Sequence, residues 1–320
     1  MRRLAILACG LLLGSAALAD DPPFVQQGAL ARGFALPALG RPAIEGEGHR
    51  RLRVDLDDAN EYLARANDTE AILIDGEATQ LSFDLRYGFA PRWEAGVLVP
   101  VLAQGGGALD QLIQNWHHFW GLPNGGREKA PDGRYLYQYS RNGKLLLNVS
   151  QGSVTLGDAQ LSGGYRLTDR LAARAMLKLP TGDASHLAGN GAFGGAAWLD
   201  GGLPLSGWLH WMTLFGALGY SGNDTGDILS GQQKHGLAFG AAGLGIGFTP
   251  NWQAKLQVYF HGAPYTGSQL AALDHVAAPF TVSTSYRIAP HYTVSLGFQE
   301  KANIFASPDF GLHLGLAIDE

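Results

Sequence analysis

The chain has 320 residues, of which 46% are hydrophobic and only 16% charged, against about 25% charged in an ordinary soluble domain. Its 45 glycines and 32 aromatic residues, beside three methionines, suit short strands and tight turns and argue against a helix bundle. A net charge of −5 and a pI near 6.0 leave no basic footprint, so nucleic-acid partners are not expected.

Residues 1–19 read as a secretory signal peptide. Arg2 and Arg3 precede an apolar run from Leu4 to Leu13, and Ala17-Leu18-Ala19 offers a small-residue cleavage site. The run is too short to cross a bilayer, which needs about twenty residues, and no later stretch approaches that length. The single cysteine, Cys9, lies within it, so a cleaved chain carries no thiol. Residues 20–46 follow as a Pro/Gly-punctuated N-terminal lead.

From residue 47 to 320 the dominant period is two, the signature of strands with two unlike faces. Leu52, Val54 and Leu56 alternate with Arg51, Arg53, Asp55 and Asp57; Leu81, Phe83, Leu85, Tyr87 and Phe89 alternate with Ser82, Asp84, Arg86 and Gly88. Trp93, Ala95 and Val97 oppose Glu94 and Gly96. The same pattern sets Asp158, Arg166, Arg174 and Lys178 against Leu161, Tyr165, Leu171 and Leu177. Near the C-terminus Leu256, Val258 and Phe260 oppose Lys255 and Gln257, Ile288 opposes Arg287, and Leu312, Leu314 and Leu316 oppose His313 and Gly315. Segments 193–203, 207–220 and 237–248 are rich in Gly, Ala and Trp at both parities, which leaves their facing open.

Twelve strands are expected, near 47–58, 70–89, 91–103, 155–167, 170–180, 193–203, 207–220, 237–249, 251–263, 277–289, 291–303 and 309–319. Tight links such as Ala90-Pro91-Arg92, Thr168-Asp169-Arg170 and Thr249-Pro250-Asn251 alternate with long ones, notably 104–154. Short turns on one rim, long loops on the other and an even strand number describe a transmembrane β-barrel, with aromatics near strand ends as interfacial girdles. A soluble sandwich or lipocalin-like barrel also alternates, but would carry more surface charge. The fold expected is therefore all-β: a twelve-stranded antiparallel transmembrane β-barrel in the bacterial outer membrane, with lipid and the barrel-assembly machinery as partners.

With the apolar parity in lipid, the lumen is expected to receive Arg51, Arg53, Asp55, Asp57, Asp84, Arg86, Glu94, Asp158, Arg166, Arg174, Lys178, Lys255 and Arg287. Both signs are present, so strong ion selectivity is not expected. In the long extracellular loop, Leu109, Leu112, Ile113, Trp116, Phe119 and Trp120 recur at helical spacing, predicting a short amphipathic helix that stops at Gly121. Tyr135 to Tyr139 and Lys144 to Val149 predict a hairpin. The helix could pack on the rim, lie in the outer-leaflet interface or fold into the mouth as a gate.

No catalytic site, metal or cofactor is expected. His117 and His118 diverge on a helix, and Ser185-His186 near Asp183 gives only weak grounds for a nucleophile and base. The sequences Pro23-Phe24-Val25-Gln26, Leu85-Arg86-Tyr87-Gly88 with Arg92-Trp93-Glu94, and Trp116-His117-His118-Phe119-Trp120-Gly121-Leu122-Pro123-Asn124-Gly125-Gly126-Arg127 resemble the bacterial family catalogued as domain of unknown function 3187. The resemblance spans nearly the whole mature chain and implies a Gram-negative outer-membrane protein without an assigned activity. Unlike many outer-membrane barrels, the chain does not end on an aromatic residue. The function expected is a passive channel or transporter for small or partly apolar solutes, narrowed by the 104–154 loop. The alternatives are a lipid-modifying enzyme at the outer rim and a structural barrel with a blocked lumen.

Overall fold

A computed structural model describes residues 24, 25, 27–301 and 307–320; the expected signal peptide lies outside them. The chain forms β1 (Arg50–Ala66), β2 (Glu70–Ala90), β3 (Trp93–Gly105), helix α1 (Asp110–Trp120), β4 (Leu136–Arg141), β5 (Lys144–Val149), β6 (Ser153–Leu156), β7 (Gln160–Thr168) and β8 (Leu171–Lys178). After these come β9 (Gly194–Pro204), β10 (Met212–Asn223), β11 (Gly236–Thr249), β12 (Trp252–His261), the single turn α2 (Ala271–Asp274), β13 (Pro279–Ala289), β14 (Tyr292–Lys301) and β15 (Phe310–Asp319).

Twelve strands, β1–β3 and β7–β15, form a closed antiparallel barrel. The seam is β1 against β15, in register from Arg51 opposite Asp319 to Asn60 opposite Phe310. Closure leaves no strand edge, the condition for placing a sheet in hydrocarbon. At four of the short turns the ladder slips by one residue, between Gly88/Ala90, Arg166/Thr168, Gly247/Thr249 and Arg287/Ala289. The extra residue lets each tight link form without breaking the alternation above it.

The two faces are the reverse of a soluble barrel. Outside stand Leu81, Phe83, Leu85, Tyr87, Leu296 and Leu314, each more than a third exposed, while Ser82, Asp84, Lys255, Ser283 and Ser285 are buried inside. At the short-turn rim Phe89, Trp93 and Tyr165 form one aromatic stack, and Phe248 meets Trp252 in another. These are the girdles expected where an apolar wall meets the membrane surface.

Three departures from the expected strands have local causes. β1 runs to Ala66 rather than ending near 58, because Asn60, Glu61 and Leu63 are covered on both faces and lose the apolar–polar alternation. The segment expected at 155–167 is two strands. β3 pairs with β7 from Trp93 to Leu98 and with β6 from Val101 to Gln104. Pro100 stands at the changeover, with no N–H to give a ladder, and its carbonyl accepts from the Gly157 N–H at 2.9 Å. Residues 207–209, expected as strand, make a 3₁₀ turn before β10. The predicted hairpin forms as β4–β5, its turn set by positive φ at Asn142 and Gly143.

Candidate functional site: the lumen

The described part of the N-terminal lead, from Phe24 onward, runs inside the barrel. Phe24, Ala29, Leu30, Phe34, Leu36 and Leu39 are all buried. The segment is tied to the wall by its own amides: Ala29 N–H donates to Glu61 Oε1 at 2.7 Å, Ala35 N–H to Asn223 Oδ1 at 2.8 Å and Gly40 N–H to Asp200 Oδ1 at 3.0 Å. Gly40 turns the chain at φ +92°, against Phe215 and Gln257. At the short-turn rim Gly46 crosses Gly88 so closely that a Cβ on Gly88 would lie 2.0 Å from the Gly46 carbonyl oxygen.

This occupant explains the strands whose facing was open. β9 and β11 turn Trp198, Phe239 and Ala241 inward, because their inner face meets Phe34, Leu36 and Leu39 rather than water, and β10 turns Phe215 inward against Gly40. Tyr137 and Tyr139 of β4 join the same apolar cluster, with Tyr265 and Leu273 from the loop after β12. Tyr139 Oη donates to Glu70 at 2.9 Å, and Glu70 also accepts from Ser268 Oγ and Gln269 N–H. The β4–β5 hairpin and the later loops thus roof the mouth.

The opposite wall is charged. Glu94 meets Arg86 at 3.3 Å and Arg41 at 3.4 Å, and is in direct contact with Arg174, whose Nε lies 3.3 Å from Asp200. Arg86 pairs with Asp84 and Arg53 with Asp55, both at 3.0 Å. Lys178 Nζ, fully buried, donates to Asp158 at 2.6 Å, Asn190 at 2.8 Å and the Ala192 carbonyl at 2.6 Å. Arg51 reaches Asp319 at 3.2 Å. Arg166 donates to the Ile44 carbonyl at 3.3 Å, and Lys255 lies 5.5 Å from the centre of the Phe215 ring. Arg287 differs from the rest of the expected lumen set: it is exposed beside the short turn at Asn251, at the rim rather than in the lumen. Between this wall and the N-terminal segment remains a cavity of about 170 Å³, lined by Arg53, Asp57, Asp84, Lys178, Phe24 and Leu36 among others.

The loop helix stands elsewhere. Of Leu109, Leu112, Ile113, Trp116, Phe119 and Trp120, only Ile113 is buried, and Leu112, Phe119 and Trp120 are open to the surroundings. Trp116 packs on Phe298 and Phe310 at ring separations of 5.7 and 6.4 Å, and both share the outward parity of Leu296 and Leu314. Helix α1 therefore lies against the outer surface of β14 and β15, not in the mouth. Its buried face is Asp110, Ile113 and His117, because the polar positions meet partners. Asp110 accepts from Arg127 at 2.6 Å and from Gly133 N–H at 2.8 Å, and His117 reaches Asn124 at 3.0 Å and Glu300 at 3.4 Å. His118 is exposed, so the two histidines do diverge.

Among the described residues, two Ser–His–Asp groupings occur. In the 181–192 loop Ser185 and His186 do meet, at 3.2 Å, but Ser185 and Asp183 both address His186 Nδ1, so no relay runs from acid through imidazole to hydroxyl. Hydrogen bonds from Ser185 and His186 hold the Asp183 carboxyl down at about 2. Inside the lumen, Asp57 meets His313 Nδ1 at 2.6 Å and Ser295 meets Nε2 at 2.9 Å, an arrangement the sequence did not reveal because its members sit on three strands. Ser295 is in mid-strand, where main-chain N–H groups are committed to the ladder and cannot stabilise an oxyanion.

Among solved structures, the chain is similar to the COG4313 outer membrane channel from Pseudomonas putida F1, with a TM-score of 0.56 at 14% identity over 87% of this chain and 97% of that one. The NanC porin aligns at 10% identity over 83% and 98%, with a TM-score of 0.43. The translocator domain of the autotransporter NalP from Neisseria meningitidis aligns at 10% over 86% and 89%, with a TM-score of 0.45. The first of these likenesses shows a shared outer-membrane barrel fold. No curated protein matches the chain in sequence. The sequence model of the family described as "Protein of unknown function (DUF3187)" matches residues 24–319, and the chain belongs to that family.

Proposed function

We propose that this protein is an outer-membrane channel for small solutes, not an enzyme, and that its resting lumen is closed by its own residues 24–46 and roofed by the β4–β5 hairpin. One observation carries this reading: besides the inward side chains of the wall, the lumen holds a strap of chain tied to that wall through hydrogen bonds and ion pairs. A barrel stiffened for structure alone can fill its interior from its own strands. Here the wall beneath the strap sets charged side chains such as Arg53, Asp57, Asp84 and Lys178 beside apolar ones such as Leu98, Leu102 and Met176 around a cavity. Lipid contacts the outer apolar band, and the narrowing assigned from sequence to the 104–154 loop passes to the N-terminal strap and to the hairpin part of that loop.

Planar-bilayer conductance tests the reading. The full chain is expected to conduct weakly and the barrel lacking residues 24–45 to conduct steadily. A correctly folded strapless barrel that stays silent would establish a blocked structural barrel instead.

A further inference from the structure

One point of contact between strap and wall has the form of a binding site. The Phe24 ring lies flat on the imidazole of His313, with centroids 4.8 Å apart and planes 8° from parallel. The inward positions beside it on β14 and β15 are Gly297 and Gly311. A Cβ on Gly297 would come within 2.6 Å of Phe24 Cε1, and one on Gly311 within 3.7 Å of Cε2. β14 thus omits a side chain where the ring sits, β15 leaves room for ordinary contact beside it, and the imidazole gives the resulting slot a flat wall. That imidazole is fixed at both nitrogens, by Asp57 and Ser295. Phe24 and Asp57 also line the cavity, and the ties of the strap to the wall, at Ala29, Ala35 and Gly40, all lie further along the chain. Withdrawing the ring would join the slot to the cavity without undoing the strap.

We infer that Gly297, Gly311 and His313 form a socket for a small planar aromatic solute carrying a hydrogen-bond donor, such as a phenol, and that Phe24 occupies it as an internal competitor. The ring is specified by the slot, since flat stacking on imidazole favours a π-face over a puckered ring. The donor is specified by the two carboxylates that border the cavity there, Asp55 and Asp57, which accept and cannot donate when ionised. The inference deepens the channel reading by naming the class of solute. An occupied site weakens the apparent affinity of any competing ligand by the fraction of time it is free.

The test is calorimetric binding of phenol to the detergent-solubilised full chain. Phe24→Ala is expected to bind at least about tenfold more tightly than the unaltered chain, and Phe24→Ala with Gly297→Leu, which refills the slot from the wall, to show only the partition of phenol into detergent. Cyclohexanol, with the same hydroxyl on a puckered ring, should bind the Phe24→Ala chain at least about tenfold less well than phenol. Equal heats from Phe24→Ala and the double variant overturn the socket, and equal affinity for the two alcohols overturns the aromatic class. Should Phe24→Ala fail to insert, Phe24→Val, which is too small to fill the slot, is set against Phe24→Val with Gly297→Leu, and the same comparison decides. Conductance plays no part in this readout, so the socket and the channel reading fail separately.

Discussion

Glu94 illustrates what one inward side chain does. It lies 2% exposed in contact with Arg41 from the strap and with Arg86 and Arg174 from the wall. Burying a carboxylate is costly unless it is paired, and removing one partner of a buried pair leaves the others uncompensated. Glu94→Gln should therefore destabilise the folded barrel by about 3–5 kcal/mol in urea unfolding, and adding Arg41→Met should recover part of the loss by relieving repulsion among the guanidiniums. A single variant as stable as the parent would show that the cluster holds nothing. Alternation alone places Glu94 and Arg174 at inward positions, but their partnership spans 80 residues and Arg41 lies 53 away from Glu94. No local pattern encodes a contact of that separation; it arises only once the barrel closes.

At the scale of the element, α1 was legible in its existence and its stop: Gly121 takes φ 67° and its N–H caps the carbonyls of His117 and His118. Its docking was not, because helical spacing marks the greasy face without revealing that Asp110 and His117 have buried partners on the opposite one. The consequence can be measured. Burial holds the pKa of His117 below the ordinary histidine value; Arg127 and Lys301 push the same way, while Asn124 and Asp309 oppose them, and Glu300 of β14 faces the ring. A histidine depressed on folding binds fewer protons folded than unfolded, so the His117 contribution to docking is fully present above about pH 6.5 and is lost as pH falls below it. In a Glu300→Gln chain, which removes the carboxyl facing the ring, amide exchange across residues 110–120, corrected for the intrinsic rate, should be faster at pH 5 than at pH 7.5. Adding His117→Gln should flatten the difference, and an unchanged ratio in the Glu300→Gln chain would place the pH response elsewhere.

For the whole molecule, the strand count, the closure and the outward apolar band follow from periodicity because lipid imposes one rule on every span. The inside obeys no single rule. Where β1, β2 and β8 face the cavity the inner positions include Arg53, Asp55, Asp84, Arg174 and Lys178, β3 and β7 give it Leu98, Leu102, Gln160 and Ser162, and where β9 and β11 face the apolar part of the strap they include Trp198 and Phe239. The strap itself has no period and carries Pro37, Gly40 and Pro42, so nothing in residues 24–46 states on which side of the wall it belongs. Its removal makes a prediction about permeation that depends on the wall alone. Arg53 keeps Asp55, Arg86 keeps Asp84, Lys178 keeps Asp158, and Glu94 keeps Arg86 and Arg174 after Arg41 has gone. Charges neutralised by neighbours at about 3 Å project little field into the pore, whereas unpaired rings of one sign select strongly. The barrel lacking residues 24–45, placed in a tenfold potassium chloride gradient, should therefore reverse close to zero, with a cation-to-anion permeability ratio within about threefold of one. Breaking one pair by Lys178→Met should shift the reversal toward cations by leaving Asp158 unpaired. A strapless barrel already reversing near the potential of a single ion would mean that the pairs come apart once water enters, and that the wall filters by charge.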